Sequence, residues 1–229
     1  MWPGPAAGTA KRVETGGLAP GLWWWTARHP DWKPTQSWPP LVRCFCVKTD
    51  DATLVVDPLV AEGEEEPVWT ALDRAVERRR QPVFVLLTQA AHARPASAVA
   101  GRYAADVWGP EQARAKVAPA AFHVIVSGDA MPGGHVLEFE QEPGGSGAPL
   151  YFVGNEAIAV GDVFISRDDG LHVWWGHGAS DDSWYHDRLL PSLQRWLDLP
   201  LRHLLVAHGP LVAPAELRAA FERAPDRGQ

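Results

Sequence analysis

The sequence predicts an α/β fold in which two β-sheets pack face to face and helices cover their outer sides. The predicted elements run in the order strands, β–α alternation, strands, and β–α alternation again, and stacked sheets with outer helices satisfy that order. Residues 82–87 form a continuous apolar run, typical of a strand buried on both faces, and residues 202–206 predict a second such strand. We therefore expect a four-layer αβ/βα sandwich. No linker divides the 229 residues, so we expect one domain over residues 1–229, with residues 1–11 as a loose leader.

Two long helices follow from local signals. Glu64–Pro67 places acidic residues and a proline in a first helical turn, and Val68 and Leu72 continue at helical spacing, which predicts a helix over residues 66–80. Leu189, Leu193 and Trp196 lie on one face of a helix predicted over residues 183–199. Shorter helices are predicted over residues 95–103, 110–116 and 214–223.

The strands are predicted from β-branched and apolar runs bounded by turn residues. A hairpin of residues 41–48 and 52–56 turns around Thr49, Asp50 and Asp51. An extended segment within residues 12–27 ends in three consecutive tryptophans. Further strands are predicted over residues 106–108, 122–126, 135–141, 150–153 and 157–160.

Charge and hydropathy exclude several partners. The formal net charge of −7 argues against nucleic acid or an acidic membrane surface as a partner, because both require a basic face. No apolar stretch approaches the roughly 18 residues of a membrane span, and no signal peptide opens the sequence. We therefore expect a cytosolic protein. Cys44 and Cys46, two apart on a predicted strand, are expected to be reduced and partly buried.

Three segments together resemble the metallo-β-lactamase superfamily. They are the apolar strand that ends at Thr88, the Gly161-Asp162 pair and the closing strand that ends in His208-Gly209. Their order and spacing match the superfamily over roughly residues 13–221. The resemblance implies the metallo-β-lactamase type of αβ/βα sandwich, with Asp162 and His208 at positions that bind metal in the family.

The metal-binding motif of the family is mostly replaced. Aligned without a gap on His-x-His-x-Asp-His, this sequence has Gln89, Ala91, Ala93 and Arg94 at the four ligand positions, and His92 lies one residue out of register. Zinc and iron require imidazole nitrogens, thiolates or carboxylate oxygens, which alanine lacks. The family's middle histidine is also absent, since that stretch reads Gln141-Glu142-Pro143. The resemblance thus implies zinc or iron only if a remnant site is occupied.

Asp162 and His208 have two interpretations. They are the remnant of a metal site, completed by His92 or Glu142, or they are a hydrogen-bonded polar pair kept with the fold. A cationic Arg94 would satisfy Asp162 in place of a metal and would give the pocket a group that binds small anions. His92 is a candidate general base, since its pKa lies in the useful range, or a solvated loop histidine.

Tryptophan is the unusual residue, with 12 in the chain. Trp25 and Trp174 lie in segments that border the expected pocket, where exposed rings would line a ligand cleft or a homodimer interface. Alternatively, they plug Pro-rich loops. Together with Gln89 and Arg94, these two tryptophans are the candidate ligand-binding residues.

Two function classes remain open from the sequence. One is a hydrolase-like enzyme with a degenerate metal site, in which Asp162, His208 and His92 would be catalytic and a metal would activate water. The other is a non-catalytic module that binds a small anion or a protein through Arg94 and the tryptophans.

Overall fold

A computed structural model describes residues 13–36, 38–60, 63, 65–77, 81–93, 96–117, 121–141, 145–174 and 182–224. The expected leader at residues 1–11 lies outside this part of the chain, as do Arg94 and Glu142.

The first sheet contains seven strands in sequence order. Strands β1 to β4 are antiparallel neighbours, and β4 to β7 run parallel, with the helices between them as crossovers. The strands are β1 (Thr15–Ala19), β2 (Leu22–Arg28), β3 (Leu41–Lys48), β4 (Thr53–Val56), β5 (Val83–Leu86), β6 (Asp106–Gly109) and β7 (Phe122–Val124).

The second sheet has five strands in the order β14-β11-β10-β9-β8. Its strands are antiparallel except for β11 and β14, which run parallel. A separate two-stranded hairpin pairs β12 with β13. The strands are β8 (Ala130–Met131), β9 (Gly134–Val136), β10 (Leu150–Phe152), β11 (Ala157–Gly161), β12 (Phe164–Arg167), β13 (Gly170–Val173) and β14 (His203–Val206).

Helices cover the outer face of each sheet. On the first sheet, α1 (Glu65–Glu77) and α2 (Ala96–Tyr103) follow β4 and β5. On the second, α3 (Asp182–Trp184) continues through a π-helical turn (Tyr185–Leu189) into α4 (Leu190–Gln194) and a 3₁₀ turn (Arg195–Asp198), and α5 (Glu216–Glu222) closes the described chain. Shorter 3₁₀ turns span Ala90–Ala93, Glu111–Lys116 and Val153–Asn155.

Three apolar cores separate the four layers. Leu72 and Val85 belong to the core between the first sheet and its helices. Phe45 and Phe152 belong to the core between the sheets, and Trp196 packs in the core under the second set of helices. This architecture confirms the predicted αβ/βα sandwich.

The hairpin β12–β13 is the main element that the sequence did not predict. Ser166, Arg167 and His172 interrupt its apolar residues, so its pattern is that of a loop, although Phe164 and Leu171 are fully buried. The predicted strand over residues 135–141 ends early, at Val136, and Leu137 packs instead in the outer core.

None of the helices in the described ranges combines the length and apolar character that crossing a bilayer requires.

Both cysteines are free and fully buried on β3. Burial raises the pKa of the Cys46 thiol to about 12 and raises the pKa of Cys44 as well. Because the thiolate is the reactive species, we expect neither thiol to react with an alkylating reagent at neutral pH in the folded protein. Mass spectrometry after iodoacetamide should show no adducts under native conditions and two in denaturant. Rapid native labelling would contradict the packing of β3.

Candidate functional site

The candidate site lies where two pairs of parallel strands end. In the first sheet, β4 and β5 are parallel neighbours that end just before Asp57 and Thr88. In the second, β11 and β14 are parallel neighbours that lead to Asp162 and His208. Parallel neighbours end at the same edge of a sheet, so the polar residues that follow each pair of strands lie close together. A short bridge between Val42 and His208 joins the two sheets here.

Asp57 anchors the first half of the site. It is nearly buried, and its backbone is left-handed, with φ at 46°, a conformation that aspartate tolerates better than most residues. Its carboxylate accepts the Thr88 backbone N–H at 2.8 Å and the Thr88 hydroxyl. The turn after β4 is thereby tied to the end of β5.

His92 lies between two carboxylates. The 3₁₀ turn Ala90–Ala93 directs its ring inward, where Nδ1 is 3.1 Å from Asp57 Oδ2 and Nε2 is 3.2 Å from Asp162 Oδ1. Nδ1 also lies 3.3 Å from the Thr88 hydroxyl oxygen. An imidazole donates hydrogen bonds from both nitrogens only when it is protonated, so this geometry favours the imidazolium.

Asp162 is shared by both histidines. His208 Nε2 lies 3.1 Å from Asp162 Oδ1, the same oxygen that faces His92. Within the described residues, no hydrogen-bond partner is found for Nδ1 of His208, although that atom is buried. Asp162 Oδ2 takes no part in these contacts, and the side chain is 29% exposed toward the cavity, against 8% for His208.

The pKa shifts follow from this arrangement. Burial by itself disfavours the charged forms of His92 and Asp162. For His92, the charges of Asp57 and Asp162 and their hydrogen bonds outweigh burial and hold the pKa well above its ordinary value. For Asp162, the charge of His92 and the hydrogen bonds from both histidines hold the pKa far below its ordinary value. Asp162 is therefore an ionised carboxylate over the whole physiological range.

A cavity of about 330 Å³ opens beside these residues. Trp38 and Trp174 flank His208 on the cavity wall, with ring centroids 4.9 Å and 6.3 Å from its imidazole. His29 packs edge-on against Trp38, with centroids 5.0 Å apart. The wall also contains Arg43, whose Nη1 donates to the carbonyl oxygen of Gly209 at 2.7 Å and whose guanidinium covers the Trp24 ring.

Three residues have the donor atoms for one metal ion. Ligand atoms of His92, Asp162 and His208 lie within 4.8 Å of one another, and two imidazoles with one carboxylate is a known donor set for catalytic zinc. The hydrogen bonds fit an ion less well. If His208 Nε2 bound metal, its buried Nδ1 would carry a proton for which the described part of the chain offers no acceptor, whereas metal-bound histidines normally donate from the second nitrogen. His92 is already fully bonded between two acids.

The candidate residues from the sequence fall into two groups. Asp162, His208, His92 and Trp174 meet at the cavity. Trp25 does not: it is fully buried in the core under α1, and its indole N–H donates to the Leu59 carbonyl. Gln89 bridges to Gly147 and is not part of the cavity wall. His92 was alternatively interpreted as a solvated loop histidine. Its side chain is only 16% exposed, which does not match that interpretation.

Asp57 and Thr88 were not identified as site residues from the sequence. A signal was present, because Asp57-Pro58 directly follows the apolar strand β4 and Thr88 follows β5. The carboxyl ends of adjacent parallel strands are the usual location of α/β sites. Recognising β4 and β5 as parallel neighbours would have paired these two residues.

Gly161 lets the two sheets meet at the site. Its φ is 55°, and a Cβ built there would lie 2.6 Å from the Thr88 hydroxyl oxygen. We expect Gly161→Ala to lower the free energy of unfolding by about 2 kcal/mol or more, through overlap and backbone strain. Gly101→Ala, in α2 with open space around it, is the control and should leave stability equal or raised by up to about 1 kcal/mol. Equal effects in chemical denaturation would contradict the close approach at Gly161.

No protein-family model matches the sequence, and no curated protein matches it. Solved structures are similar in fold. A metallo-β-lactamase from Erythrobacter litoralis, with β-mercaptoethanol in its active site, is 16% identical at a TM-score of 0.61, covering 93% of this chain and 96% of that one. The mono-zinc form of FIM-1 from Pseudomonas aeruginosa is 14% identical at a TM-score of 0.60, covering 96% and 99%.

A metal-soaked flavodiiron core from Synechocystis is also similar, at 15% identity and a TM-score of 0.63, covering 94% of this chain and 61% of that one. These likenesses confirm the predicted metallo-β-lactamase fold for nearly the whole chain.

Proposed function

We propose that this chain is a metallo-β-lactamase-fold protein with a degenerate metal centre, in which protonated His92 takes the position of a metal and the cavity binds a small molecule. The observation that carries the proposal is the double contact of His92, whose two ring nitrogens each face a carboxylate oxygen at 3.1 and 3.2 Å. A cation between two acids offsets part of their charge, as a metal would, and gives each acid a charge-assisted hydrogen bond from a protein group.

The neighbouring sequence supports this assignment. Ala91 and Ala93 flank His92 and carry no atom that binds metal. The turn that lacks the expected metal ligands therefore contains His92, whose side chain supplies positive charge. In this arrangement Asp57 and Thr88 orient the ring of His92, and Asp162 presents an ionised carboxylate to the cavity.

Metal content and histidine protonation test the proposal together. Untagged protein should contain well below one equivalent of zinc, iron or manganese, and added ions should not raise the melting temperature. Nitrogen NMR of the histidine side chains, with His92→Gln for assignment, should show both ring nitrogens of His92 protonated at neutral pH. Stoichiometric metal that is lost in Asp162→Ala and His208→Ala would overturn the proposal.

A second candidate function is a hydrolase with a single metal ion. It is favoured by the approach of the ligand atoms of His92, Asp162 and His208 to within 4.8 Å. A bound ion would activate water for attack on an ester-, thioester- or amide-type bond, with Asp57 orienting His92 through Nδ1. Under this alternative, zinc should stabilise the protein, and hydrolysis of a thioester should disappear on chelation. Under the first proposal, chelation changes neither stability nor ligand binding.

A further inference from the structure

We propose that the cavity beside Asp162 selects a small organic cation, such as a protonated amine attached to an aromatic or apolar group. This inference deepens the proposed function and rests on it, because a metal ion bound to Asp162 would consume the carboxylate that the amine needs. The geometry points to this ligand class through one accessible carboxylate and two tryptophans on the same cavity wall.

Asp162 offers a fixed negative charge. Both imidazoles contact Oδ1, so these hydrogen bonds do not involve the second oxygen of a side chain that is 29% exposed. A carboxylate in a partly desolvated cavity forms strong charge-assisted hydrogen bonds with an ammonium group. The histidines hold Asp162 in place, since it is bonded to His92 from the first sheet and His208 from the second.

Trp38 and Trp174 supply the aromatic part of the site. They flank the same imidazole, with centroids 4.9 and 6.3 Å from that of His208, so both rings lie close to the carboxylate that His208 contacts. The electron-rich faces of tryptophan attract cations, and aromatic walls beside an acid are a recurring arrangement in sites for amines. The rings also provide apolar area for the organic part of the ligand.

The charges on the described cavity wall favour a cation over an anion. The wall carries three carboxylates, on Asp31, Asp57 and Asp162, and two cationic groups, on Arg43 and His92. Both cations already contact protein groups. Arg43 donates to the Gly209 carbonyl and covers the Trp24 ring, and His92 is held between its two acids. An anionic ligand would therefore face Asp162 and would have to compete with these protein groups for a cation of the described wall.

Binding of a matched ligand series tests the inference. Benzylamine, benzyl alcohol and benzoate have nearly the same shape and differ in charge at neutral pH. Isothermal titration calorimetry on metal-free full-length protein should show benzylamine binding about tenfold more tightly than benzyl alcohol, with no binding of benzoate. Benzoate bound as tightly as benzylamine would overturn the inference and favour an anion site that depends on Arg94, which Arg94→Ala would abolish.

Two site variants and one remote variant separate binding from folding. Asp162→Asn should remove the roughly tenfold preference for the amine over the alcohol. If Asp162→Asn fails to fold, Trp174→Leu tests the same cavity. This variant should weaken benzylamine binding several-fold. Trp69→Leu alters a tryptophan that stacks with Arg102 away from the cavity, and benzylamine affinity should not change.

The outcomes also separate this inference from the proposed function. Metal-free protein that binds no member of the series, or binds all three equally, overturns the cation inference and leaves protonated His92 intact. Protein that contains stoichiometric metal overturns the proposed function first. Loss of the amine preference in Trp69→Leu as well would show that the preference does not arise in this cavity.

Discussion

His92→Ala should lower the free energy of unfolding by about 3 kcal/mol, because it leaves Asp57 and Asp162 largely buried without the cation that separates them. Breaking one partner of a buried charge cluster costs more than the intact cluster contributes, since the remaining charges keep their desolvation penalty. Urea denaturation at pH 6 measures the effect, with an unchanged m-value as evidence that the folded state remains compact.

His123→Ala is the matched control. His123 Nε2 also contacts an aspartate, Asp106 Oδ2 at 2.9 Å, but both side chains are 43% exposed. Exposed ion pairs contribute at most about 1 kcal/mol, and the stack of His123 on Trp108 contributes about as much, so this variant should lose clearly less stability than His92→Ala. Equal losses for His92→Ala and His123→Ala would mean that the contacts of His92 are no stronger than a surface pair, and the proposed replacement of a metal would fail.

Stability should be highest in mildly acidic solution and fall on both sides. The folded-state pKa of His92 is raised, so its contribution is complete below the unfolded pKa of about 6.5 and is lost as the pH rises toward the folded value. The pKa of Asp162 is lowered, so its contribution is complete above about pH 4 and is lost as the pH falls. The maximum should therefore lie between about pH 4 and pH 6.5.

The losses of stability at acidic and at alkaline pH arise from different residues. We expect the acid limb to amount to about 2 kcal/mol, allowing for the partial exposure of Asp162, and to flatten in Asp162→Asn. The alkaline limb should flatten in His92→Gln. The groups that face this pair are Asp57, Thr88 and His208, and neither Asp162→Asn nor His92→Gln removes them. A profile in which neither substitution flattens its limb would contradict the coupling of His92 with Asp162.

Sequence patterns were sufficient for the layers of the fold. The long elements carry strong local signals: α1 begins at acidic residues with a proline in its first turn, and β5 is a short, wholly apolar run. Such elements bury one face or both faces in the core. The spacing of their apolar residues indicates whether one face or both faces are buried. The hairpin β12–β13 was not predicted because polar residues interrupt its apolar pattern. The core that buries Phe164 and Leu171 forms only in the folded chain.

The candidate site depended on tertiary structure. The sequence by itself indicated that the usual ligands are replaced and that Asp162 and His208 remain, and it led to the hypothesis that Arg94 pairs with Asp162 in place of a metal. It did not predict that His92 lies between two carboxylates, since an alignment without gaps places it out of register. Only the inward 3₁₀ turn Ala90–Ala93, and the meeting of two parallel strand pairs from different sheets, bring His92 between Asp57 and Asp162. Local sequence specifies where each strand lies in the chain and which of its faces is apolar, whereas a contact between the ends of distant strands is set by how the two sheets pack.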